Sequence, residues 1–226
     1  MTTAAEILAA ARVVLLDFDG PVCSAFAGAP ADQLADDMRR ELRDAGADLS
    51  SDAEATDDPM TVLRFAADAS PELAALAERR LAATECAAID RATPTPGGAE
   101  FLAACSAADR PVVIVSNNTG AAILRYLDLH SLRGLVLAVI ARDPHDARLM
   151  KPNPHPIRRA LAVIGAEPAA AVLIGDTPAD IQGARAAGTR VIGYANKPRK
   201  LQTLADADAI TTDMHELATV LTAHSR

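Results

Sequence analysis

The hydrophobic pattern divides the chain into short apolar runs and longer segments with helical spacing. Residues 13–16 are four consecutive apolar residues, a pattern typical of a strand buried on both faces of a parallel sheet. Further predicted strands are residues 112–116, 136–141, 172–176 and 191–194, and the helices between them are residues 99–107, 121–127, 156–164 and 179–187. This alternation predicts an α/β protein with a doubly wound parallel sheet, a Rossmann-like core.

Residues 23–92 follow a different pattern, with helical spacing and no convincing strand. Leu34, Met38 and Leu42 recur at four-residue intervals between charged residues, as on the buried face of an amphipathic helix. Further along, Ser70 precedes a proline and an acid, which is a typical start of a helix. The segment is therefore predicted to be a small all-helical insert after the first strand.

The boundaries of this insert are marked by composition and by charge. Two prolines and two glycines at residues 94–98 indicate a hinge and a turn. Residues 23–92 hold 15 Asp and Glu against seven Arg and no Lys, so the insert carries a charge of −8, equal to the net charge of the whole chain. We therefore predict a core domain of residues 1–21 and 95–226 and a helical domain of residues 22–94.

Composition narrows the classes of partner and compartment. The acidic balance and the absence of Trp disfavour a nucleic-acid partner, which needs basic surfaces and often stacking aromatics. Three cysteines without CxxC spacing indicate neither a disulfide framework nor a structural zinc site, and they fit a reducing cytosol. Glu6 stands where a secretory signal would carry basic charge, and the apolar runs near it are too short to span a bilayer. We expect a cytoplasmic monomer or homodimer without a membrane partner.

Polar residues follow the predicted strands at the points where these strands end. They are Asp17 and Asp19 after the first strand, Ser116 and Asn117 after the second, and Asp176 and Asp180 at the end of the strand predicted at residues 172–176. Lys151 comes shortly before the helix predicted at residues 156–164. The carboxyl ends of parallel strands share one edge of a sheet, where open α/β folds bind ligands. Each residue alone could be a turn, a helix cap or a surface residue. Their occurrence at the ends of several strands of one sheet favours a common site.

The charges of such a site require cations. Two carboxylates about 4 Å apart repel by about 4 kcal/mol at an effective dielectric constant near 20. Magnesium binds through carboxylate oxygens together with substrate phosphate oxygens, and Lys151 supplies a second positive charge. Four carboxylates, one Mg²⁺ and one lysine leave a single negative charge, which a protonated general acid would remove. The residues therefore predict a site for Mg²⁺ and a phosphate group.

Four motifs in this order resemble the haloacid dehalogenase-like superfamily. They are DFDGPV at residues 17–22, a strand ending in Ser116, Lys151 before a helix, and GDTPAD at residues 175–180. The connecting segments PGGAEF, DIQGARAAGTRVIGY and ADAITTDMHEL are also similar, so the resemblance covers nearly the whole chain. It implies a Rossmann-like core with a helical cap domain of the phosphoglycolate phosphatase-like type.

The resemblance also implies roles for the four acids. Asp17 would be the nucleophile that forms an aspartyl-phosphate. Asp19 would protonate the leaving alcohol and then activate water. Asp17, the backbone carbonyl of Asp19 and Asp176 would ligate Mg²⁺, and Asp180 would assist through a water ligand or by holding Lys151.

Three further residues would bind the phosphate group. The resemblance implies that Ser116 and the backbone N–H of Asn117 grip phosphate oxygens, and that Lys151 offsets the charge that develops during the reaction. One position departs from the family pattern. Pro21 stands where the family usually has Thr, so a hydroxyl and an N–H are missing beside the nucleophile, and a change in rate or substrate could follow.

The function implied by the resemblance is Mg²⁺-dependent hydrolysis of a small phosphorylated metabolite. The presence of Asp19 disfavours a dehalogenase, and the absence of lysine from the insert disfavours a phosphonatase. Two alternatives stay open: a phosphomutase or phosphotransferase acting on a sugar phosphate, and a non-catalytic binding protein on the same fold. The cap would close over the site and choose the leaving group. Its candidate specificity residues are Phe26, Arg39, Arg43 and Arg64.

Overall fold

A parallel six-stranded sheet forms the centre of the protein. The computed structural model describes residues 2–26 and 29–223. Its strands are β1 (Val13–Leu16), β2 (Cys23–Ser24), β3 (Thr93–Pro94), β4 (Val112–Val115), β5 (Ala138–Ile140), β6 (Ala171–Gly175), β7 (Arg190–Tyr194) and β8 (Ala209–Thr211). The main sheet has the order β5-β4-β1-β6-β7-β8, and all neighbouring strands in it are parallel. Because β1 lies between β4 and β6, the carboxyl ends of these three strands meet.

Helices cover both faces of this sheet. They are α1 (Ala4–Ala10), α2 (Ala31–Asp44), α3 (Ser51–Ala55), α4 (Pro59–Ala69), α5 (Pro71–Ala88), α6 (Gly98–Ala107), α7 (Gly120–Leu129), α8 (His155–Ile164), α9 (Pro178–Ala187), α10 (Lys200–Thr203) and α11 (Met214–Ala223). Helices α1, α6, α7 and α11 share a hydrophobic cluster on one face, and α8 and α9 share another on the opposite face. Of the helices in the described residues, none combines the length and apolar composition needed to cross a membrane.

The side chains of β1 show why this strand is apolar throughout. Val14 and Leu16 belong to the cluster on one face of the sheet, and Val13 and Leu15 belong to the cluster on the other. Successive side chains of a strand point to opposite faces, so a strand with helices on both sides has no polar position. The prediction of an α/β fold with a doubly wound parallel sheet is confirmed.

Some elements differ from the sequence prediction. Residues 23–92 were expected to contain no strand, yet β2 pairs with β3 as a separate antiparallel ribbon. A strand of two residues is too short to show alternation. Strand β5 covers only Ala138–Ile140, shorter than the predicted 136–141, and it follows a 3₁₀ turn at Arg133–Leu135. Strand β8 was not predicted, since three residues carry little periodicity.

Helices α2 to α5 form the insert between β2 and β3. Leu34, Met38 and Leu42 are buried on α2, as their spacing predicts, and they share a cluster with residues of α4 and α5. The side chain of Ser70 caps α5 by accepting a hydrogen bond of 3.2 Å from the N–H of Leu73. The cluster also includes Met150, which immediately precedes Lys151. The helical insert is therefore packed onto the loop that carries this lysine.

Candidate active site

The Lys151 side chain lies beneath the carboxyl edge of the sheet with only 2% of its surface exposed. Its Nζ lies 3.0 Å from Asp17 Oδ1, and it donates hydrogen bonds to Asp180 Oδ1 at 2.6 Å and to the Val115 carbonyl at 2.7 Å. Burial alone would lower the pKa of Lys151, but the two carboxylates outweigh it and raise the pKa overall. The amine is therefore a fixed positive charge at the floor of the site.

Asp17 directly follows β1, in the middle of the sheet. Its Oδ1 accepts a hydrogen bond of 2.7 Å from the N–H of Phe18. Burial and the nearby Asp180 carboxylate raise the pKa of Asp17 well above its usual value, although Lys151 opposes this. The ionised form of Asp17 therefore depends on positive charge close by.

Three carboxylates provide a donor set that fits a hard divalent cation. Oxygen atoms of Asp17, Asp176 and Asp180 all lie within 4.8 Å of one another. Mg²⁺ prefers carboxylate oxygens, so the chemistry of this set suits it. The side chain of Asp19 is not one of the three. For Asp19 the resemblance implies a metal ligand through its backbone carbonyl and not through its side chain.

The turn after β1 contains Asp19 and Gly20 and packs against the Asp176 side chain. Asp19 Oδ1 accepts a hydrogen bond of 2.8 Å from the N–H of Ala25, and burial raises the pKa of Asp19. Gly20 has a φ of +103°, and a Cβ atom on it would lie 2.3 Å from Asp176 Oδ2. Glycine is required here because the backbone turns in the left-handed region and the Asp176 carboxylate packs against it.

The residues after β4 connect two loops of the site. Ser116 Oγ donates to Asn118 Oδ1 at 3.0 Å and accepts from the N–H of Asn118 at 3.2 Å. The Asn117 side chain pairs with the backbone of Lys151 in both directions: Nδ2 donates to the Lys151 carbonyl at 3.0 Å, and Oδ1 accepts from the Lys151 N–H at 2.9 Å. The loop after β4 and the loop that carries Lys151 are therefore held together.

The residues after β6 begin helix α9. Asp180 is fully buried, and its Oδ2 accepts hydrogen bonds from the N–H of Thr177 at 3.1 Å and from its hydroxyl at 2.6 Å. Asp180 thus caps α9 while it also holds Lys151. Burial raises the pKa of Asp176 to about 6, even though Lys200 contacts its Oδ2 and lowers it. Lys200 was missed at the sequence level.

A cavity of about 460 Å³ opens above these residues. Its lining includes Asp17, Asp19, Ser116, Asn117, Lys151 and Asp176 from the sheet edge, and Phe26, Asp58, Met60 and Arg64 from the insert and its connection. Arg64 Nη2 donates to the Lys151 carbonyl at 2.9 Å, so this guanidinium lies at the boundary between α4 and the loop that carries Lys151. The structure brings Phe26 and Arg64, but not the other two predicted specificity residues, to the cavity.

Arg39 and Arg43 lie away from the cavity lining. Arg39 is buried within the insert, where it donates to the carbonyls of Ala53, at 3.2 Å, and Thr56 and pairs with Asp36. Arg43 is half exposed and pairs with Glu54. The expectation that these two residues contact the substrate is corrected accordingly, because their charges are used to hold the helical insert together.

A buried ionic network behind the site was also missed at the sequence level. The Arg142 guanidinium donates to the carboxylates of both Glu78 and Glu85, and to the Asn117 carbonyl. Glu85 also accepts a hydrogen bond of 3.0 Å from the N–H of Thr119. The available signal was that Glu78 and Glu85 are two helical turns apart on one face of α5, and that Arg142 lies just beyond the end of β5.

The doubly wound sheet makes this an α/β protein. Its candidate active site is an acid pair at the end of the central strand, a buried lysine and a second acid pair after β6. The sequence profile of the haloacid dehalogenase-like hydrolases matches residues 60–194, more than half of the chain. The chain therefore belongs to the haloacid dehalogenase-like hydrolase family. The resemblance seen in the motifs is confirmed.

Curated relatives match parts of the chain. The phosphoglycolate phosphatase of Aquifex aeolicus is 33% identical over 79 residues, which cover 35% of this chain and 36% of that protein. The pyrophosphatase PpaX of Halalkalibacterium halodurans is 28% identical over 117 residues, covering 51% of this chain and 54% of that protein. The matches thus span between about a third and about a half of the length of these relatives.

Solved structures resemble nearly the whole chain. The β-phosphoglucomutase of Clostridium difficile has a TM-score of 0.66 at 15% identity, covering 95% of this chain and 98% of that one. A predicted phosphoglycolate phosphatase from Haemophilus somnus has a TM-score of 0.64 at 18% identity, covering 93% and 97%. At this level of identity the likeness shows the fold.

Proposed function

We propose that this protein is a Mg²⁺-dependent phosphomonoesterase that hydrolyses a small phosphorylated metabolite through an aspartyl-phosphate intermediate. The observation that carries the proposal is the position of Asp17. Its carboxylate lines the cavity, lies 3.0 Å from the buried Lys151 amine, and has Asp19 two residues further on in the same lining. The partial matches to a phosphoglycolate phosphatase and to a pyrophosphatase agree with phosphoryl chemistry.

In the first half of the reaction, a carboxylate oxygen of Asp17 attacks phosphorus and the bond to the leaving oxygen breaks. Asp19 gives its proton to that oxygen, so the product leaves as an alcohol. In the second half, Asp19 takes a proton from water, the water oxygen attacks phosphorus, and Asp17 is released with phosphate as product. The raised pKa of Asp19 favours the protonated form that the first half requires.

The cations of the site make Asp17 available as an anion. We propose that Asp17, Asp176 and the backbone carbonyl of Asp19 would hold Mg²⁺, which would supply positive charge against the phosphate oxygens. Asp180 is already occupied by Lys151 and Thr177, so we assign it to positioning the lysine. Lys151 stabilises the negative charge that develops on the transferring phosphoryl group.

The cavity supports a small substrate with an anionic group beside its phosphate. Its volume of about 460 Å³ is in the range of small-molecule sites. The basic residues of its lining, among the described part of the chain, are Lys151 at the floor and Arg64 at the side of the insert. Phosphoglycolate and inorganic pyrophosphate are the first compounds to test, because both carry a second anionic group.

Turnover of a substrate panel tests the proposal. The panel holds phosphoglycolate, pyrophosphate, sugar phosphates and p-nitrophenyl phosphate, each with Mg²⁺ and with EDTA. We expect release of inorganic phosphate that requires Mg²⁺ and that falls at least about 10³-fold in Asp17→Asn. Asp128→Asn, an exposed position on α7, is the matched control and should keep wild-type activity.

Other outcomes identify the alternatives. Activity that survives Asp17→Asn would remove the nucleophile. Conversion of a sugar phosphate to its isomer, without release of phosphate, would identify a phosphomutase. Binding of phosphorylated ligands without turnover of any compound would identify a binding protein.

A further inference from the structure

Lys200 is a second ammonium group at the catalytic edge, one that neither the family motifs nor the proposed reaction uses. The chain has three lysines, and two of them, Lys197 and Lys200, lie in the segment that follows β7. Because β7 is parallel to β1 and β6, this segment begins at the same edge of the sheet as the acids. The Lys200 side chain is 19% exposed and contacts Asp176 Oδ2.

The two ammonium groups pair with all three clustered carboxylates. Lys151 forms ion pairs with Asp17 and Asp180, and Lys200 forms an ion pair with Asp176. Of the two lysines, Lys151 is buried and held additionally by the Val115 carbonyl, whereas Lys200 stands at the rim with part of its side chain in solvent. Lys200 can therefore break its ion pair and move its ammonium group into solvent, whereas the ammonium group of Lys151 would remain buried without a partner.

We propose that Lys200 is a tethered counter-ion that holds Asp176 in the metal-free protein and competes with the divalent cation for this carboxylate. The inference rests on the metal site of the proposed function. A divalent ion bound to Asp176 would place its charge beside the Lys200 ammonium that contacts the same carboxylate, and like charges close together repel strongly in a site of low dielectric constant. Metal binding therefore requires the Lys200–Asp176 ion pair to open or to weaken.

The flexible stem of lysine makes this displacement easy. Lys200 is the first residue of the short helix α10, and its neighbour Lys197 is exposed. The ammonium of a lysine is a compact and strongly hydrated charge on four methylene groups, so it can move into water when a stronger cation arrives. Lys200 thereby lowers the affinity for the metal while it keeps the empty acid cluster from repelling itself.

Calorimetric titration of the metal-free protein with Mg²⁺ tests the competition directly. We expect the Kd for Mg²⁺ to fall at least tenfold in Lys200→Met and to stay within threefold of wild type in Lys200→Arg, which keeps the charge. Lys197→Met is the matched control, since it removes the same charge from the same segment without removing an ion pair to Asp176, and its Kd should also stay within threefold. A Kd in Lys200→Met that is unchanged or higher overturns the inference.

The small number of lysines allows a second readout that needs no variant. The protein is acetylated with a limiting amount of an amine-reactive ester, and the modification of each lysine is followed by mass spectrometry. Saturating Mg²⁺ should increase the rate at Lys200 several-fold while the rate at the exposed Lys197 stays constant. An unchanged rate at Lys200 means that the ion pair persists beside the metal and contradicts the displacement.

The outcomes separate this inference from the proposed function. Equal Mg²⁺ affinity in wild type and Lys200→Met overturns the competition alone and leaves the phosphatase proposal in place. Absence of Mg²⁺ binding in both proteins overturns the competition together with the proposed metal site. The phosphatase activity itself is judged separately, by the Asp17→Asn variant.

Discussion

Arg142 and Glu85 join the carboxyl edge of the sheet to helix α5 through two hydrogen bonds that are shielded from solvent. Arg142 Nη1 donates to Glu85 Oε1 at 3.1 Å, and Nη2 donates to Oε2 at 2.9 Å. The Arg142 side chain is 0% exposed and also binds Glu78 and the Asn117 carbonyl. One arginine therefore connects the helical insert with the loop after β4, where the motif resemblance implies that Ser116 and Asn117 bind phosphate oxygens.

Loss of this arginine should destabilise the protein strongly. Arg142→Met leaves Glu78 and Glu85 buried without their counter-charge, and removing one partner of a buried ion pair typically costs about 3–5 kcal/mol. The free energy of unfolding in urea measures the effect. Arg125→Met is the control, because its pair with Asp90 is exposed and is worth about 1 kcal/mol or less. Equal losses in the two variants would show that the buried network contributes no more than a surface pair.

Asp19→Asn should separate the two halves of the reaction. With p-nitrophenyl phosphate the leaving group needs no proton, so we expect a burst of about one p-nitrophenolate per protein, followed by slow turnover because the base for water is missing. With an alkyl phosphate both halves should be slowed, by about 10²-fold or more. Rapid-quench kinetics measure the burst. Asp17→Asn should show none, and a burst in that variant would assign the nucleophile to another residue.

The metal-free protein should lose stability as pH rises through the titration of Asp176. The pKa of this carboxyl is 3.8 ordinarily and about 6 in the folded protein, so the folded state holds its proton longer than the unfolded state does. Between pH 4 and 6 the unfolded state therefore binds fewer protons, and stability falls with rising pH by about 3 kcal/mol in total from this group.

Thermal unfolding in EDTA at pH 5 and at pH 7.5 measures about half of that loss, because the Asp176 carboxyl of the unfolded state is already mostly ionised at pH 5. Asp176→Asn cannot ionise, so its stability should fall less than that of the wild type over this range. Addition of Mg²⁺ at pH 7.5 should restore the wild type and leave the variant nearly unchanged. The same pH dependence in both proteins would mean that the Asp176 carboxyl titrates alike in the folded and unfolded states.

Arg64→Ala should affect substrates according to their charge. Arg64 lines the cavity beside Lys151, so we expect its loss to raise the KM for phosphoglycolate about tenfold and to change the KM for ethyl phosphate, which lacks a second anionic group, much less. Steady-state kinetics on both compounds make the comparison. Arg43→Ala, a change of the same type outside the cavity, should leave both values unaltered. Equal effects of Arg64→Ala on the two substrates would exclude a contact with the second anion.

The position of the acids at one edge of the sheet could be predicted because it depends only on where each buried strand ends. An apolar run that ends in Asp17 fixes both the buried strand and the edge at which the acid lies, and Ser116 and Asp176 follow in the same way. The distance of Lys151 from these residues in sequence did not matter, since the helix it precedes packs beside β4. Local pattern and position along a parallel sheet were sufficient here.

Contacts that depend on the orientation of loops and helices could not be predicted. Arg39 and Arg64 both lie on amphipathic helices of the insert, and only the packing angle of those helices decides that Arg64 lines the cavity. Lys200 and Arg142 reach partners 24 and 57 residues away in the chain, through loops whose conformation no periodicity encodes. A sequence pattern can place a side chain at the carboxyl edge of the sheet, but it does not show which neighbouring side chain that residue contacts.

Met150 connects the hydrophobic cluster of the helical insert to the loop that carries Lys151. This side chain is buried with Leu34 and Leu63 in the hydrophobic cluster of the insert, and the next residue along the chain is Lys151. A displacement of α4 that widens the entrance would therefore pull on the peptide bond that leads into the floor of the site. Entry of a ligand and the position of the buried amine are thereby coupled through this cluster, so mutations of the buried residues that share the cluster with Met150 should change catalytic rate as well as affinity.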